Sequence, residues 1–241
     1  MNTTAHPLDD ALARAAQDPG ARPAFYRLLL ESEVYAIGLV PAPGSEDPDP
    51  GLSIAHFARE GGDRFIPFFS SAEALQPLLD EETRAVALPA RQLFGMTRGN
   101  TLVLNPTSTT GKEFLPAEID ALLGVAPVVR ERTVGEQARV LLGQPAEYPE
   151  ALVSGLSSLL AGHAPVAAAY LCLMQQPDGS ASLVVGIEGE GALDAVMQEV
   201  GMVAADTVPQ GMPVDLVEVR RGDGALGDYF TGSVTPFYQR T

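Results

Sequence analysis

The chain has 241 residues, 46% of them hydrophobic and 19% charged, enough apolar material for one large core or two ordinary ones and too little charge for a disordered tail. Fifteen basic side chains against thirty-one acidic ones leave a formal charge of −16, which repels nucleic-acid backbones and anionic membrane surfaces. The longest apolar run, 166–174, is shorter than the roughly 20 residues that a membrane-spanning helix needs, and the single cysteine, Cys172, excludes an internal disulfide or a thiolate metal cage. The expectation is a soluble, cytoplasmic α+β protein of two domains.

Two short helices open the chain. Pro7 suits a first helical position, and Leu8, Ala11, Leu12 and Ala15 follow at helical spacing until Pro19-Gly20 stops the run. Pro23 restarts it, with Phe25, Leu28 and Leu29 on one face. From Val34 the helical period is lost, and the runs 34–40, 52–59 and 65–69 read as strands of an antiparallel meander separated by Pro- and Gly-rich turns. Pro67 cannot donate a ladder hydrogen bond, which predicts that the third strand lies at a sheet edge or is bulged there. Ser70-Ser71-Ala72-Glu73 has capping-box spacing and predicts a helix from about residue 71 to 82. A strand at 85–88, a helical turn at 89–94, a strand at 102–104 and a helix from Pro116 to a Gly124 cap complete the first half.

The expected domains are 1–125 and 137–241, joined by a linker at 126–136 in which no apolar period holds. The second half reads as strand 140–142, helix 149–161, strands 166–175 and 183–187 joined by a hairpin at Asp178-Gly179, helix 192–205 and strand 214–219. That order, βαββαβ, is ferredoxin-like. A turn of helix at 226–230 and a last strand at 234–238 follow.

The candidate chemistry is sparse. Gly111-Lys112 lacks the upstream glycine of a phosphate loop and has Glu113 where magnesium needs a hydroxyl, so Lys112, the only lysine, reads as a solvated loop cation. Glu188 and Glu190 flank the glycines at 186–191 and would repel a pyrophosphate. His6, His56 and His163 fall in three separate elements without metal-ligand spacing; His56 is expected at a sheet margin and the other two in loops. Cys172, in an apolar strand with no basic neighbour, reads as a buried, inert thiol. Acidic clusters such as Asp80-Glu81-Glu82 read as solvated faces. No catalytic, cofactor or metal residue set emerges. The feature that points to contact is aromatic: Phe65 and Phe69 alternate onto one strand face, and with Asn105 and Pro106 they make a candidate groove for a partner peptide.

Several stretches together resemble the SseB family, the enhanced serine sensitivity proteins. They are the opening helices with Leu8, Leu12, Phe25 and Leu28-Leu29, the run Phe65-Ile66-Pro67-Phe68-Phe69-Ser70-Ser71-Ala72-Glu73, the segment Leu102-Val103-Leu104-Asn105-Pro106 with Gly111-Lys112, and the half that begins at Leu142-Gly143-Gln144-Pro145. The resemblance implies an N-terminal and a C-terminal SseB domain and a link to serine sensitivity, with no catalytic residues to carry over. Some members carry a type III secretion label; this chain has no hydrophobic translocator segment.

The expected function is therefore a non-enzymatic adaptor or regulator that binds another protein, without cofactor, nucleic acid or membrane; the sequence leaves its oligomeric state open. Two rivals stand beside it: a small-molecule sensor or enzyme with a pocket between domains, and an acidic decoy or immunity protein. The decoy needs one concentrated acidic face, yet residues 1–125 carry 9 basic and 17 acidic groups and residues 126–241 carry 6 and 14, so each half is −8.

Overall fold

A computed structural model describes residues 6–39, 54–59, 61–79, 83–125, 140–208, 212–220, 222 and 224–240. The expected linker 126–136, the Pro-rich segment 41–51 and the acidic run at 80–82 lie outside them. The chain divides into two compact units, one formed by residues 1–16 and 24–131 and the other by residues 17–23 and 132–241. Both combine helices with a sheet, which makes the protein α+β. Among the described residues no helix is long and apolar enough to cross a membrane.

The first unit is built on α1 (Pro7–Gln17), α2 (Arg22–Glu31), β1 (Glu33–Leu39), β2 (Phe57–Ala58), β3 (Arg64–Phe69), α3 (Ala72–Leu75), β4 (Thr83–Pro89), α4 (Ala90–Met96), β5 (Thr101–Leu104), β6 (Lys112–Phe114) and α5 (Pro116–Leu122). Its sheet runs β4-β1-β3-β5-β6, with β2 also paired to β3. This is a mixed sheet and not a simple meander: β1 pairs with β3 and β4 in antiparallel fashion, while β3 and β5 are parallel. Of the expected strand 52–59, the described residues 54–59 form only Phe57–Ala58, with an isolated bridge between Gly38 and Ile54.

Strand β3 is central, which removes the sheet edge from the two alternatives, edge or bulge, expected from Pro67. The Phe68 carbonyl accepts from Asn105 N on β5's side, so by alternation residue 67 turns its backbone the other way. There the neighbour changes from β2, opposite residues 64 and 65, to β1, opposite 68 and 69. Proline stands where the ladder is broken. The helix after β3 is also shorter than expected, because Pro77 converts it to a 3-10 turn at Gln76–Leu78. Its cap is Ser71, whose Oγ accepts from Ala74 N at 3.2 Å, and not Ser70.

Strand register assigns the two faces. One carries Val34, Ala36, Ile66, Phe68, Leu102, Leu104 and Phe114, all buried. Leu8 and Leu12 of α1, Phe25 and Leu29 of α2, Phe94 of α4 and Ile119 of α5 are among the buried residues of the helices. Phe68, Phe94 and Phe114 meet with ring centroids 5.3–5.9 Å apart.

The second unit contains β7 (Leu141–Gly143), α6 (Glu150–Ala161), β8 (Val166–Gln175), β9 (Ala181–Gly189), α7 (Asp194–Thr207), β10 (Val214–Glu218), α8 (Gly224–Ser233) and β11 (Tyr238–Gln239). The element order βαββαβ is present, but the pairing is not ferredoxin-like. The sheet runs β10-β9-β8-β11, with β7 also on β8, and β9 and β10 are parallel. A ferredoxin sheet would place β7 at the centre. Here β7 has only three residues, with Leu141 exposed, while β8 and β9 are long and nearly continuously buried and take the centre themselves. The turn between them forms at the expected residues: Asp178 Oδ1 accepts from Ser180 N at 2.9 Å and Gly179 has φ +85°.

Burial on both faces of β8 and β9 reflects helices on both sides. Leu152, Leu156, Leu160, Val196, Val200 and Val203 of α6 and α7 pack with Ala169, Leu171, Val185 and Ile187. Tyr170, Cys172, Met174 and Val184 point the other way, onto Val219, Val234 and Phe230 of α8. Gly186 permits that packing, because a Cβ there would lie 2.5 Å from Val219 Cγ2 and 3.1 Å from Phe230 Cε2. The expected final strand 234–238 shrinks to Tyr238–Gln239.

Candidate interaction surface

The second face of the first unit's sheet carries Tyr35, Ile37, Phe57, Phe65, Pro67, Phe69, Val103 and Glu113 by register. Ser71 starts α3 so that Leu75 drops onto one end of this face, and Ile37, Ala55, Phe69 and Leu75 bury one another. Among the described residues, no helix packs on the rings at the other end. Phe57 is 36% exposed and Phe65 is partly exposed, their ring centroids 6.2 Å apart.

Arg59 crosses this end. Its guanidinium lies 5.1 Å from the Phe65 ring centroid and forks onto Glu113, Nη1 to Oε1 at 3.3 Å and Nη2 to Oε2 at 2.9 Å. The pKa of Arg59 is raised above an ordinary guanidinium, first by the hydrogen bond with Glu113 and then by that carboxylate's charge. The result is an apolar pair of rings with a charged, water-facing guanidinium held over Phe65 by Glu113.

Of the four residues expected to form the partner groove, only Phe65 belongs here. Phe69 has no exposed surface and is part of the core, so it can offer no contact. Asn105 and Pro106 follow β5, whose parallel register sets Thr101 beside Phe65 and Leu104 beside Phe68. They therefore lie at the opposite end, four residues or about 13 Å along the strand. Strand alternation placed Phe65 and Phe69 on one face correctly, but it carries no information on where a helix covers that face.

Asn105 has a structural task instead. It is the one non-glycine with positive φ, +48°, among the described residues. Its Oδ1 accepts from Ser70 N at 3.0 Å, while its Nδ2 donates to Asp9 Oδ1 at 2.8 Å and to Ser70 Oγ at 3.1 Å. The buried side chain thus ties the first turn of α1 to the end of β3.

Lys112 is likewise not a solvated loop cation. It begins β6, and its Nζ sits 2.8 Å from Glu118 Oε1 and 4.7 Å and 5.5 Å from the ring centroids of Phe114 and Tyr26. Tyr26 donates to the same Glu118 oxygen at 3.0 Å. With only three residues, Lys112, Glu113 and Phe114, β6 is too short to show an apolar period by which to be seen.

In the second unit Cys172 is buried, and burial pushes its thiol up to about 11, the opposite of an activated nucleophile. His163 lies in the loop after α6, as expected, and its Nε2 meets Glu199 Oε2 at 2.9 Å, joining that loop to α7. His6 accepts Leu8 N on Nδ1 at 3.3 Å at the start of α1, and His56 is exposed beside β2 rather than on a paired strand. Among the described residues no group of three or more His, Cys, Asp or Glu could hold a metal ion.

These observations define a class: a two-unit α+β protein. The profile of the SseB protein N-terminal domain matches residues 8–121, and that of the SseB protein C-terminal domain matches residues 134–240. Protein SseB of Escherichia coli (strain K12) and Protein SseB of Shigella flexneri are each 36% identical to this chain over 243 residues, covering 100% of it and 94% of the relative. The chain belongs to the SseB family. No solved structure matches it.

Proposed function

We propose that this chain is a non-enzymatic, cytoplasmic SseB-family protein that works by binding another protein, through the open end of the first unit's sheet. The observation that carries the reading is the pair Phe57 and Phe65, partly exposed side by side, with Arg59 over Phe65. Aromatic and arginine side chains are the usual anchors of protein contacts. The net charge of −16 favours a neutral or basic partner segment with an apolar side chain to lay on Phe65. Against catalysis stand the raised Cys172 thiol and the use of Lys112 and Glu118 in packing. The connection with serine sensitivity that the family name carries is read here as an effect of that contact.

A photo-reactive amino acid placed at residue 57 tests this in cells. The reading predicts one discrete crosslinked protein, lost on Phe65→Asp in a chain whose circular dichroism is unchanged, and absent when the probe replaces Tyr148. Crosslinking that is indifferent to Phe65→Asp would refute it. A thermal-shift screen against amino acids, nucleotides and metals addresses the sensor reading, since a ligand of the folded state raises the melting temperature.

A further inference from the structure

The first unit's sheet ends on β4, and the bonding pattern of β1 fixes which way the β4 backbone faces. Ile37 O accepts from Ala55 N on the side of β1 away from β4, so by alternation Val34, Ala36 and Gly38 bond towards β4. Ser32 O, of the same parity, accepts from Ala90 N at 2.9 Å. In register Val34, Ala36 and Gly38 lie opposite Leu88, Val86 and Arg84. Ala85 and Ala87 therefore direct their N–H and C=O groups outward from the sheet edge. Both residues are exposed, and among the described residues these four groups have no hydrogen-bond partner.

Two cations flank this edge. Arg84 is exposed on β4 and Arg91 on the first turn of α4, directly after the strand, and among the described residues neither makes an ion pair or a side-chain hydrogen bond. In a chain with thirty-one acidic groups against fifteen basic ones, two uncompensated arginines beside one edge form a local positive site. At contact distance they outweigh the net charge, because exposed charges farther off than about 8–10 Å are largely screened at physiological salt.

We infer that the outer edge of β4 receives an extended, acidic segment of another protein as an added strand. Backbone bonds to Ala85 and Ala87 hold its main chain, and Arg84 and Arg91 pair with its carboxylates. Pro89, which has no N–H to offer, bounds the pairing at the α4 side. A second copy of this chain suits the edge less well, since each copy carries −16 and brings its own arginines to the contact. The site stands apart from Phe57 and Phe65, which lie on β2 and β3 with β1 in between.

The test uses the full chain and a fluorescent peptide with blocked ends, Glu-Val-Thr-Val-Thr-Val-Glu, with a counterpart that has Lys at both ends as the control. The Glu-ended peptide is expected to bind saturably, at least tenfold more tightly than the Lys-ended one, and to slow hydrogen exchange at the Ala85 and Ala87 amides. Ala85→Pro removes an outward donor without touching the ladder to β1 and should weaken binding at least tenfold. Arg84→Glu combined with Arg91→Glu, both at exposed positions, should reverse the preference between the two peptides. No saturable binding to the wild type at millimolar peptide overturns the inference, as does binding that leaves the two amides unprotected and that the double arginine variant does not change. If Ala85→Pro does not fold, the exchange rates and the arginine variant decide. Sedimentation equilibrium of the free chain addresses the other occupant: a dimer that Ala85→Pro or the arginine variant dissociates assigns the edge to a second copy and overturns the inference.

Discussion

Asn105→Ala should destabilise the first unit by about 3 kcal/mol, far more than a polar substitution usually costs. Three contacts vanish at once: the acceptor for Ser70 N, the donor to Ser70 Oγ and the donor to Asp9. Ser70 is fully buried, so its amide is left without water, at about 1–2 kcal/mol; a partly buried carboxylate losing a donor adds about 1–1.5. The left-handed backbone at 105, with φ +48°, suits alanine less well than asparagine and contributes further in the same direction. Asn105→Gly separates the two causes: it relieves the backbone but still loses the side chain, so it should recover less than half of the loss. Urea unfolding followed by circular dichroism measures both. A cost below about 1 kcal/mol for Asn105→Ala would show that water replaces the side chain and that the knot is not structural.

Phe69→Ala should cost about 3–5 kcal/mol in the same assay, since it removes a fully buried ring, whereas Phe57→Ala should cost less than 1. Gly186→Val should unfold the second unit or lower its melting temperature steeply, because its side chain would overlap Val219 and Phe230. Burial holds the Cys172 thiol at about 11 against an ordinary 9.0, so the folded chain keeps its proton where the unfolded chain gives it up. Stability that is full below pH 9 is then lost as the pH rises towards 11, and Cys172→Ala should remove that slope in urea unfolding series. A double-mutant cycle between Lys112 and Glu118 should give a coupling of about 0.5–1 kcal/mol that shrinks with added salt.

Elements with long apolar runs were legible in the sequence. α6, β8, β9 and α7 lie within a residue or two of expectation, because each buries a regular set of positions such as Leu152, Leu156 and Leu159, or the run from Val166 to Met174. What spacing cannot show is who neighbours whom. It gave the order βαββαβ but not that β8 and β9 would hold the centre, and it read Pro67 as a sheet edge or a bulge where the structure has a change of partner along a central strand. The candidate site was half legible for the same reason. Alternation put Phe65 and Phe69 on one face, but the helix that buries only Phe69 is a tertiary fact, as are the roles of Asn105 and Lys112. Pro19-Gly20 was legible as a helix stop; the close approach to Gly155 that also requires the glycine comes from a residue 135 positions away in the chain.

The central claim is that this protein acts by contact at Phe57, Phe65 and Arg59. Its most direct measurement is the affinity of the crosslinked partner, once purified, for four chains: wild type, Phe57→Asp, Phe65→Asp and Tyr148→Asp, the last on a still more accessible aromatic of the second unit. The account predicts at least tenfold weaker binding for the two phenylalanine variants and wild-type binding for Tyr148→Asp. Wild-type affinity in both phenylalanine variants would contradict it.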